Sequence, residues 1–513
     1  MMNSNNVFAN AARTVANMTT TENGHAAAST TGSALLDLYG QVGALRGQDE
    51  ERICQLLDAA VAEDPLLARK IIFYARDCRG GTGEREVFRT LLKHMATKYP
   101  SDALMCDIHL IPEFGRWDDL YCLVGTPLES QMWDEMNRQI FKDEEALSEG
   151  KPVSLLGKWL KSCNASSKET RRLGRMTREQ LGYSEKEYRK LLSRLRERIR
   201  VVECQMSAQK WGKIDYETVP SKAGLIYRDA FRKHDEERYN NYIRSVEKGE
   251  KKINASMNTP QDLVHAYGAG WGMKPEDPTI EAMWKNLPDY IHSDENVVVM
   301  ADVSGSMTGR PMEFSVGLAM YFAQRNTGAF HNLFMTFESE PHFFVLKEHL
   351  SFHDNLARAY DAPWGGSTDL NRACAAMLAM AIDRHVPERD MPTRLVIVSD
   401  MEINEASGHY GVRWVDGLRR YVEDKKDFND ILHVDELCEI YERAGYRMPQ
   451  VIYWNVQSRD NHFQTRSDVP GTMLASGSSP RVFEAVMAMQ DFQATPYDAM
   501  LEVLNGERYK EVQ

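Results

Sequence analysis

Residues 296–306 read Asn-Val-Val-Val-Met-Ala-Asp-Val-Ser-Gly-Ser, and this stretch decides the fold of the C-terminal half of the chain. The apolar run 297–301 is continuous, which is typical of a strand buried on both faces of a parallel sheet. The run ends at Asp302, which is followed by serines at alternate positions. In wound α/β sheets, ligands bind beyond the carboxyl ends of the strands. The stretch therefore predicts a buried strand that leads into a candidate binding loop.

Around this stretch, predicted strands alternate with predicted helices. The strands are expected at 297–301, 333–337, 343–346, 394–399, 451–456 and about 471–475, and helices at 311–325, 370–382 and 480–489, with two more helices within 411–445. Strands that alternate with helices imply right-handed crossovers and a parallel sheet covered on both faces. Residues 289–513 are therefore predicted to form a doubly wound α/β domain.

The pattern upstream of residue 289 is helical. Apolar residues recur at helical spacing, and glycine and proline separate the segments. Residues 33–288 are therefore predicted to form an all-α domain of paired helices, packed as a bundle or a solenoid. Residues 1–32 are rich in Asn, Thr, Ala and Ser and hold few large apolar side chains, so we expect them to form a disordered tail.

The composition excludes several classes of protein. The 513 residues are 42% hydrophobic and 27% charged, which excludes a wholly disordered or fibrous chain. The sequence lacks an apolar run long enough to span a bilayer, and its start lacks the pattern of a signal peptide. The eight cysteines form no Cys-x-x-Cys pair, which favours reduced thiols. We expect a cytoplasmic protein that does not associate with membranes.

Oxygen-bearing side chains follow the predicted strands in the pattern of a metal site. A Gly-Gly-Ser-Thr-Asp loop at 365–369 opens a helix, and an aspartate follows the strand 394–399. Hard cations such as Mg²⁺ prefer oxygen ligands. An isolated Asp-x-Ser-x-Ser favours a capping turn, but its position at a strand end, ahead of two further loops, favours metal binding. The candidate ligands are Asp302, Ser304, Ser306, Thr368 and Asp400.

These five residues match, in order, the metal-ion-dependent adhesion site of von Willebrand factor A domains, so the C-terminal half resembles that Rossmann-like family. The resemblance implies that the five side chains hold Mg²⁺ or Mn²⁺, partly through waters. It also implies that one coordination position is left for an acidic group of a protein partner. Such domains usually bind proteins and do not catalyse reactions.

The helical half carries a second resemblance. The segments 73–86 (FYARDCRGGTGERE) and 112–120 (PEFGRWDDL) are similar to a DUF2828-type relative of the Ro/TROVE family. In Ro/TROVE proteins, HEAT-like helices close into a ring beside an A domain and bind RNA. The resemblance implies a non-catalytic ribonucleoprotein component with a HEAT-like domain at 33–288 and an A domain at 289–513.

The charge distribution supports a polyanionic partner. Residues 151–253 carry 26 Lys and Arg against 14 Asp and Glu, a net charge of +12, so the rest of the chain carries −25. Phosphate contacts supply most non-specific affinity for nucleic acids. Along the predicted helix 184–208, basic residues recur at three- and four-residue spacing and share one face. The candidate RNA contacts are Lys186, Arg189, Lys190, Arg194, Arg198, Arg171, Arg172 and Arg175.

Two functions remain open at this point. The first is binding of a small structured or single-stranded RNA, with no specificity for DNA. The alternative is a metal-dependent adaptor or scaffold that does not bind RNA, in which case the basic residues are solvated helical faces. Nearby Trp159, Tyr183 and Tyr188 favour packing between helices over base stacking. Glu402, two residues after Asp400, is a weaker candidate for positioning metal-bound water.

Overall fold

The computed structural model describes residues 17–268, 272–291, 296–337, 342–362, 370–403, 434–479, 481–489 and 493–513. The chain forms two compact units. The α/β unit comprises residues up to 48 together with 258–503, and the helical unit comprises residues 49–257 and 504–513. The predicted layout, a helical N-terminal region and a C-terminal α/β sheet, is confirmed at this level.

The helices are α1 (Ala34–Gln41), α2 (Glu50–Glu63), α3 (Pro65–Arg76), α4 (Arg85–Lys98), α5 (Asp102–Asp107), α6 (Ile111–Phe114), α7 (Glu129–Ser148), α8 (Leu156–Trp159), α9 (Lys168–Gln180), α10 (Glu185–Ile199), α11 (Val202–Ser207), α12 (Ser221–His234), α13 (Glu236–Glu247), α14 (Pro260–Tyr267), α15 (Pro278–Lys285), α16 (Arg310–Arg325), α17 (Phe352–Tyr360), α18 (Leu370–Asp383), α19 (Val434–Arg443), α20 (Arg481–Ala488) and α21 (Pro496–Leu504). Short 3-10 helices lie at Ile108–Leu110, Trp117–Leu123, Trp211–Lys213, Tyr216–Thr218, Gly305–Met307, Glu388–Asp390 and Glu507–Tyr509.

Two sheets belong to the α/β unit. Its strands are β1 (Met18–Thr20), β2 (Ala26–Ala28), β3 (Val297–Asp302), β4 (Leu333–Phe337), β5 (Phe343–Val345), β6 (Arg394–Ser399), β7 (Gln450–Asn455) and β8 (Thr472–Ser476). The large sheet has the order β5-β4-β3-β6-β7-β8. All its neighbours are parallel except the edge strand β5, which pairs antiparallel with β4. The β4–β5 link is too short for a parallel crossover, so the sheet is mixed and not wholly parallel.

Helices cover both faces of this sheet. On one face, alternate residues of β3, β6 and β7 pack against α18 and α19 in a buried apolar cluster that includes Met300, Ile397 and Tyr441. On the other face, the Ser315 hydroxyl of α16 donates to Val398 O at 3.2 Å. The strands β3, β6 and β7 are buried along their whole length, as continuous apolar runs predict.

A disordered tail is expected over residues 1–32, and this prediction is wrong for residues 17–32. Residues 1–16 lie outside the described residues. Strands β1 and β2 pair antiparallel, and Ala28 forms two backbone hydrogen bonds with Phe463. The following helix α1 packs against β8, where Gly43 lies so close that a Cβ atom would be 2.5 Å from Ser476 O. The small polar residues of this segment are ordered because they contact residues of the α/β unit that lie over 400 positions away in the sequence.

The boundaries of the units also differ from the predicted ones. Residues 258–288 pack with the α/β unit, where Gln261 on α14 donates to Glu313 on α16 at 2.7 Å. The last ten residues return to the helical unit. There the Arg508 guanidinium donates to the fully buried Asp77 at 2.8 Å and 3.0 Å. A unit boundary predicted from the helical pattern alone cannot assign α14 and α15 to the α/β unit, because both helices are amphipathic like those of the helical unit.

The predicted helix 184–208 is interrupted. Ser184 and Glu187 form a capping box that starts α10, and Arg200 ends it in the left-handed region with φ 57°. The apolar side of α10 is buried through Leu191, Leu192 and Leu195. Left-handed residues commonly terminate helices, so the basic stretch forms two helices, α10 and α11.

A buried ionic network fixes the helical unit. Asp119 is fully buried and accepts from Arg76 Nε at 2.7 Å, Arg89 Nε at 2.8 Å and the Arg116 backbone N–H at 2.9 Å. It therefore joins α3 and α4 to the 3-10 helix that carries it. Removing one partner of a buried ion pair leaves the other charge buried without compensation.

No helix in the described part of the chain is long and apolar enough to cross a bilayer. The eight cysteines, all within that part, form no disulfide with one another.

We predict that Asp119→Ala lowers the free energy of unfolding by about 3–5 kcal/mol, because Arg76 and Arg89 lose their shared carboxylate. Chemical denaturation followed by circular dichroism measures this. The matched control is Glu169→Ala, which removes the exposed ion pair with Arg172. The side chains of Glu169 and Arg172 are 62% and 51% exposed, so this variant should leave stability unchanged. Equal losses in the two variants would contradict the role assigned to the network.

Candidate metal centre

Two buried aspartates meet at the carboxyl edge of the large sheet. Asp302 is the last residue of β3, and Asp400 directly follows β6. These strands are parallel neighbours, so their ends lie side by side. Asp302 is fully buried, and Asp400 is 2% exposed. Two carboxylates in one buried place repel each other unless a proton or a cation compensates them.

The loop after β3 is held in a tight turn around Asp302. The Ser304 backbone N–H donates to Asp302 Oδ1 at 2.9 Å, and Ser399 at the end of β6 donates its hydroxyl to Asp302 Oδ2. The hydroxyl oxygens of Ser304 and Ser306 lie 3.1 Å apart. The turn therefore presents two hydroxyls beside the buried carboxylate.

The electrostatics of the pair reflect this burial. Burial, and secondly the nearby Asp400, raise the pKa of Asp302 to about 7. Burial likewise raises the pKa of Asp400, while hydrogen bonds from the Glu402 backbone and Ser306 and the charge of Arg459 act in the opposite direction. The pair therefore favours a bound proton or cation near neutral pH.

Asp400 has one oxygen whose hydrogen-bonding capacity is unused. Its Oδ1 accepts from the Glu402 backbone N–H at 3.1 Å, but its Oδ2 is buried and accepts no hydrogen bond from any described residue. The nearest cation is Arg459 in the loop after β7, whose Nη2 lies 3.3 Å from that oxygen. The same Nη2 donates to Ser306 O at 2.6 Å. A buried carboxylate oxygen in this state calls for a further positive charge.

The residues present fit a hard divalent cation. The structure brings together Asp302, Ser304, Ser306 and Asp400, which offer two carboxylates and two hydroxyls, and Mg²⁺ prefers such all-oxygen donors. The fifth predicted ligand, Thr368, lies in 363–369, outside the described residues. The same holds for residues 404–433 of the long insertion between β6 and β7.

Two contributors to this edge carry no sequence signal. Arg459 lies more than 50 residues beyond Asp400, and the turn between β1 and β2 reaches the same loop from the start of the chain. In that turn, the Thr21 hydroxyl donates to Ile403 O at 2.6 Å and Asn23 Nδ2 donates to Glu402 O at 2.7 Å. Only a contact between distant segments reveals these positions.

The predicted basic residues of the helical unit fall into two groups. Five of them are exposed and make no ion pair or hydrogen bond through their side chains to any described residue. They are Arg175 on α9 and Lys186, Arg189, Lys190 and Arg194 on α10. The charges of these five side chains are available to solvent, and we call the five residues the α9–α10 cation group.

The other three are engaged locally. Arg171 donates to the backbone carbonyls of Ala165 and Ser166, and Arg172 pairs with Glu169. Arg198 donates to Lys151 O at 3.0 Å and to Gly150 O. The Arg198 contacts bridge two segments of the unit, Arg171 binds the turn before α9, and the Arg172 pair is an exposed contact within α9.

The aromatic residues near the cation group pack within the unit, as expected. Tyr188 is buried, and its hydroxyl donates to Lys161 O at 2.8 Å. Tyr183 donates to Glu144 at 2.8 Å. The Arg116 guanidinium lies 4.1 Å from the ring centre of Trp159. The described structure therefore buries Tyr188 and leaves Tyr183 and Trp159 half-buried beside their partners.

Comparison with known sequences links the chain to two families described as domains of unknown function. The DUF2828 model matches residues 21–152 and 154–296, which is more than half of the chain, and the DUF7788 model matches residues 296–512. Uncharacterized protein L728 of Acanthamoeba polyphaga mimivirus is 26% identical over 537 aligned residues. The match covers 96% of this chain and 88% of that protein.

We predict that Mg²⁺ raises the melting temperature of the wild-type protein and that Asp302→Ala abolishes this shift. A ligand at 100 times its Kd stabilises the folded state by about 2.7 kcal/mol. Differential scanning fluorimetry with and without Mg²⁺ measures the effect, and Asp383→Ala, which removes an exposed carboxylate of the same unit, serves as control. A wild-type melting temperature that ignores Mg²⁺ and Mn²⁺ would rule out the site.

We predict a pH dependence of the metal-free protein that arises from Asp302. Its folded-state pKa of about 7 lies above the ordinary value of 3.8, so the folded state binds the proton more tightly. Stability should therefore fall as pH rises from about 4 to about 7 and level off above that. Urea unfolding in chelator across this range should give a smaller slope for Asp302→Asn; an unchanged slope would refute the assignment to Asp302.

Proposed function

The chain belongs to the DUF2828 family, and we propose that this member is a non-catalytic RNA-binding protein whose α/β unit holds a divalent cation. The observation that carries the proposal is the α9–α10 cation group: five exposed Lys and Arg side chains with no ionic partner among the described residues. Cations in this state are the usual contacts for phosphate backbones.

The arrangement along α10 suits an extended polyanion. Lys186, Lys190 and Arg194 succeed one another at four-residue spacing, so they share one face over about 12 Å of helix at a rise of 1.5 Å per residue. The buried leucines of the opposite face hold this helix in the unit. A rigid helix that presents its cations to solvent loses little entropy when it binds a phosphate chain.

One acidic residue beside this row, Glu187, caps the start of the helix. Glu187 accepts from the Ser184 backbone N–H at 2.9 Å in the capping box of α10. Its hydrogen bonds to Ser184 lower its pKa. The nearby charge of Lys190 adds to this effect, but the described structure has no ion pair between the two side chains.

The finer architecture we propose is that of the Ro/TROVE family, with HEAT-like helices beside a von Willebrand factor A domain. In this reading, Asp302, Ser304, Ser306, Thr368 and Asp400 hold Mg²⁺ or Mn²⁺, which supplies a Lewis-acidic position for an acidic group of a protein partner. Asp302 and Asp400 supply the charge, and the serines orient the loop. We propose the cytoplasm as its location, because the sequence suggests reduced thiols.

A metal-dependent adaptor without RNA is the second candidate. The observation in its favour is the unsatisfied Oδ2 of Asp400 beside the Asp-x-Ser-x-Ser turn, because a metal held there could bind a carboxylate of another protein. In this case the cation group is only a solvated surface. The two candidates differ in what the α9–α10 surface does.

We predict that the purified protein binds single-stranded or hairpin RNA with an affinity that falls steeply as salt rises. Lys190→Glu with Arg194→Glu should weaken binding at least tenfold at low salt. It should also lower the slope of log affinity against log salt by about 1.4, since each phosphate contact on a single strand contributes about 0.7. Fluorescence anisotropy with labelled RNA measures both quantities. Arg198 is left unchanged because its contacts are structural.

The matched control is Arg384→Glu with Arg389→Glu, which makes the same change of charge on exposed arginines of the α/β unit. It should leave the affinity for RNA nearly unchanged. Equal losses in both double variants would mean that net charge alone is measured. Absence of RNA binding by the wild-type protein would overturn the proposal and favour the adaptor.

A further inference from the structure

A second cluster of metal-binding side chains lies in the α/β unit, outside the Asp302 centre. Glu402 follows β6, and Asp460 and His462 lie in the loop after β7. One ligand atom of each residue lies within 4.8 Å of the other two. The cluster therefore joins two carboxylates and an imidazole from segments almost 60 residues apart.

Glu402 is held in position by the start of the chain. It is 2% exposed, and its Oε2 accepts from the Glu22 backbone N–H at 2.8 Å. Its Oε1 faces the His462 ring, with Nδ1 at 3.4 Å. One oxygen is therefore fixed by the backbone, while the other faces the imidazole. Such outer hydrogen bonds orient the ligands of metal sites.

The Glu402–His462 contact does not explain the cluster by itself. A separation of 3.4 Å is longer than the usual 2.9–3.0 Å of an N–H···O hydrogen bond. The cation that lies nearby, Arg459, has its Nη2 against Asp400 and its Nη1 3.7 Å from Glu22. The carboxylates of Glu402 and Asp460 thus meet at one place together with a weakly held imidazole.

We propose that Glu402, Asp460 and His462 form a second metal site that binds a divalent transition metal of the Zn²⁺ class. Imidazole nitrogen favours Zn²⁺ and its neighbours over Mg²⁺, which prefers the all-oxygen donors around Asp302. Three protein ligands leave a coordination position open for water or an external ligand, as in many zinc sites. This inference does not depend on the proposed RNA binding.

The two sites are separable in chemistry although their loops are neighbours. Asp400 and Glu402 are two residues apart, but the Glu402 backbone N–H donates to Asp400 Oδ1 in a tight turn. Their side chains have different partners, Arg459 for Asp400 and His462 for Glu402. Loss of one site should therefore leave the other able to bind its metal.

The test measures binding of Zn²⁺ and Co²⁺ to the full chain. Titration calorimetry with Zn²⁺, and the visible absorption of bound Co²⁺, should show one site that His462→Ala and Glu402→Gln weaken at least tenfold. Glu402→Gln keeps an acceptor for the Glu22 N–H and so preserves the loop. His331→Ala, which removes a half-exposed histidine that lies before β4, should bind both metals like the wild type.

Asp302→Ala should keep the Zn²⁺ site while losing the response to Mg²⁺, which separates this proposal from the first centre. A crystal soaked with Zn²⁺ locates the ion directly, through an anomalous peak about 2.0–2.1 Å from a ring nitrogen of His462. Unaltered binding in both His462→Ala and Glu402→Gln would overturn the proposal. A peak only at other histidines or cysteines would do the same.

Discussion

The candidate metal centre of the α/β unit depends on the repulsion between two buried carboxylates. Asp302 and Asp400 meet because β3 and β6 are parallel neighbours, so the buried carboxyl ends of these strands lie side by side. One serine hydroxyl and two backbone N–H groups satisfy three of the four oxygens, and Arg459 approaches the fourth. As long as both carboxylates are present, this edge of the sheet favours an added positive charge. The candidate metal centre follows from that preference.

The start of the chain belongs to the same edge. The turn between β1 and β2 binds the loop that carries Asp400 and Glu402, and α1 then lies against β8. These contacts place the N-terminal segment in the construction of both candidate metal sites. A truncation before residue 33 would remove Glu22 and Asn23, which bond Glu402, so the segment is a structural part of the unit.

The basic side chains of the helical unit fall into two groups, those with partners among the described residues and those whose charges are available to solvent. Arg76 and Arg89 are spent on the buried Asp119, and Arg171, Arg172 and Arg198 bind neighbouring carbonyls or a carboxylate. The α9–α10 cation group remains, on a helix whose leucines are buried. A charge count alone does not make this distinction, because it depends on which partner each side chain reaches. This division limits the proposed contacts with RNA to one part of the unit.

The sequence by itself determined the six strands of the large sheet, the helical character of the N-terminal half, and that Asp302 and Asp400 stand at strand ends, but it did not predict β1, β2, α17 or α21. Periodicity and local turn residues carry this information, since they act within a few positions of the chain. It did not reveal the interruption at Arg200, the ordered segment 17–32, the exchange of 258–288 and 504–513 between units, or the roles of Arg459 and His462. Those features depend on contacts between residues tens to hundreds of positions apart. Only the tertiary structure decides them, because such contacts leave no periodic pattern in either segment.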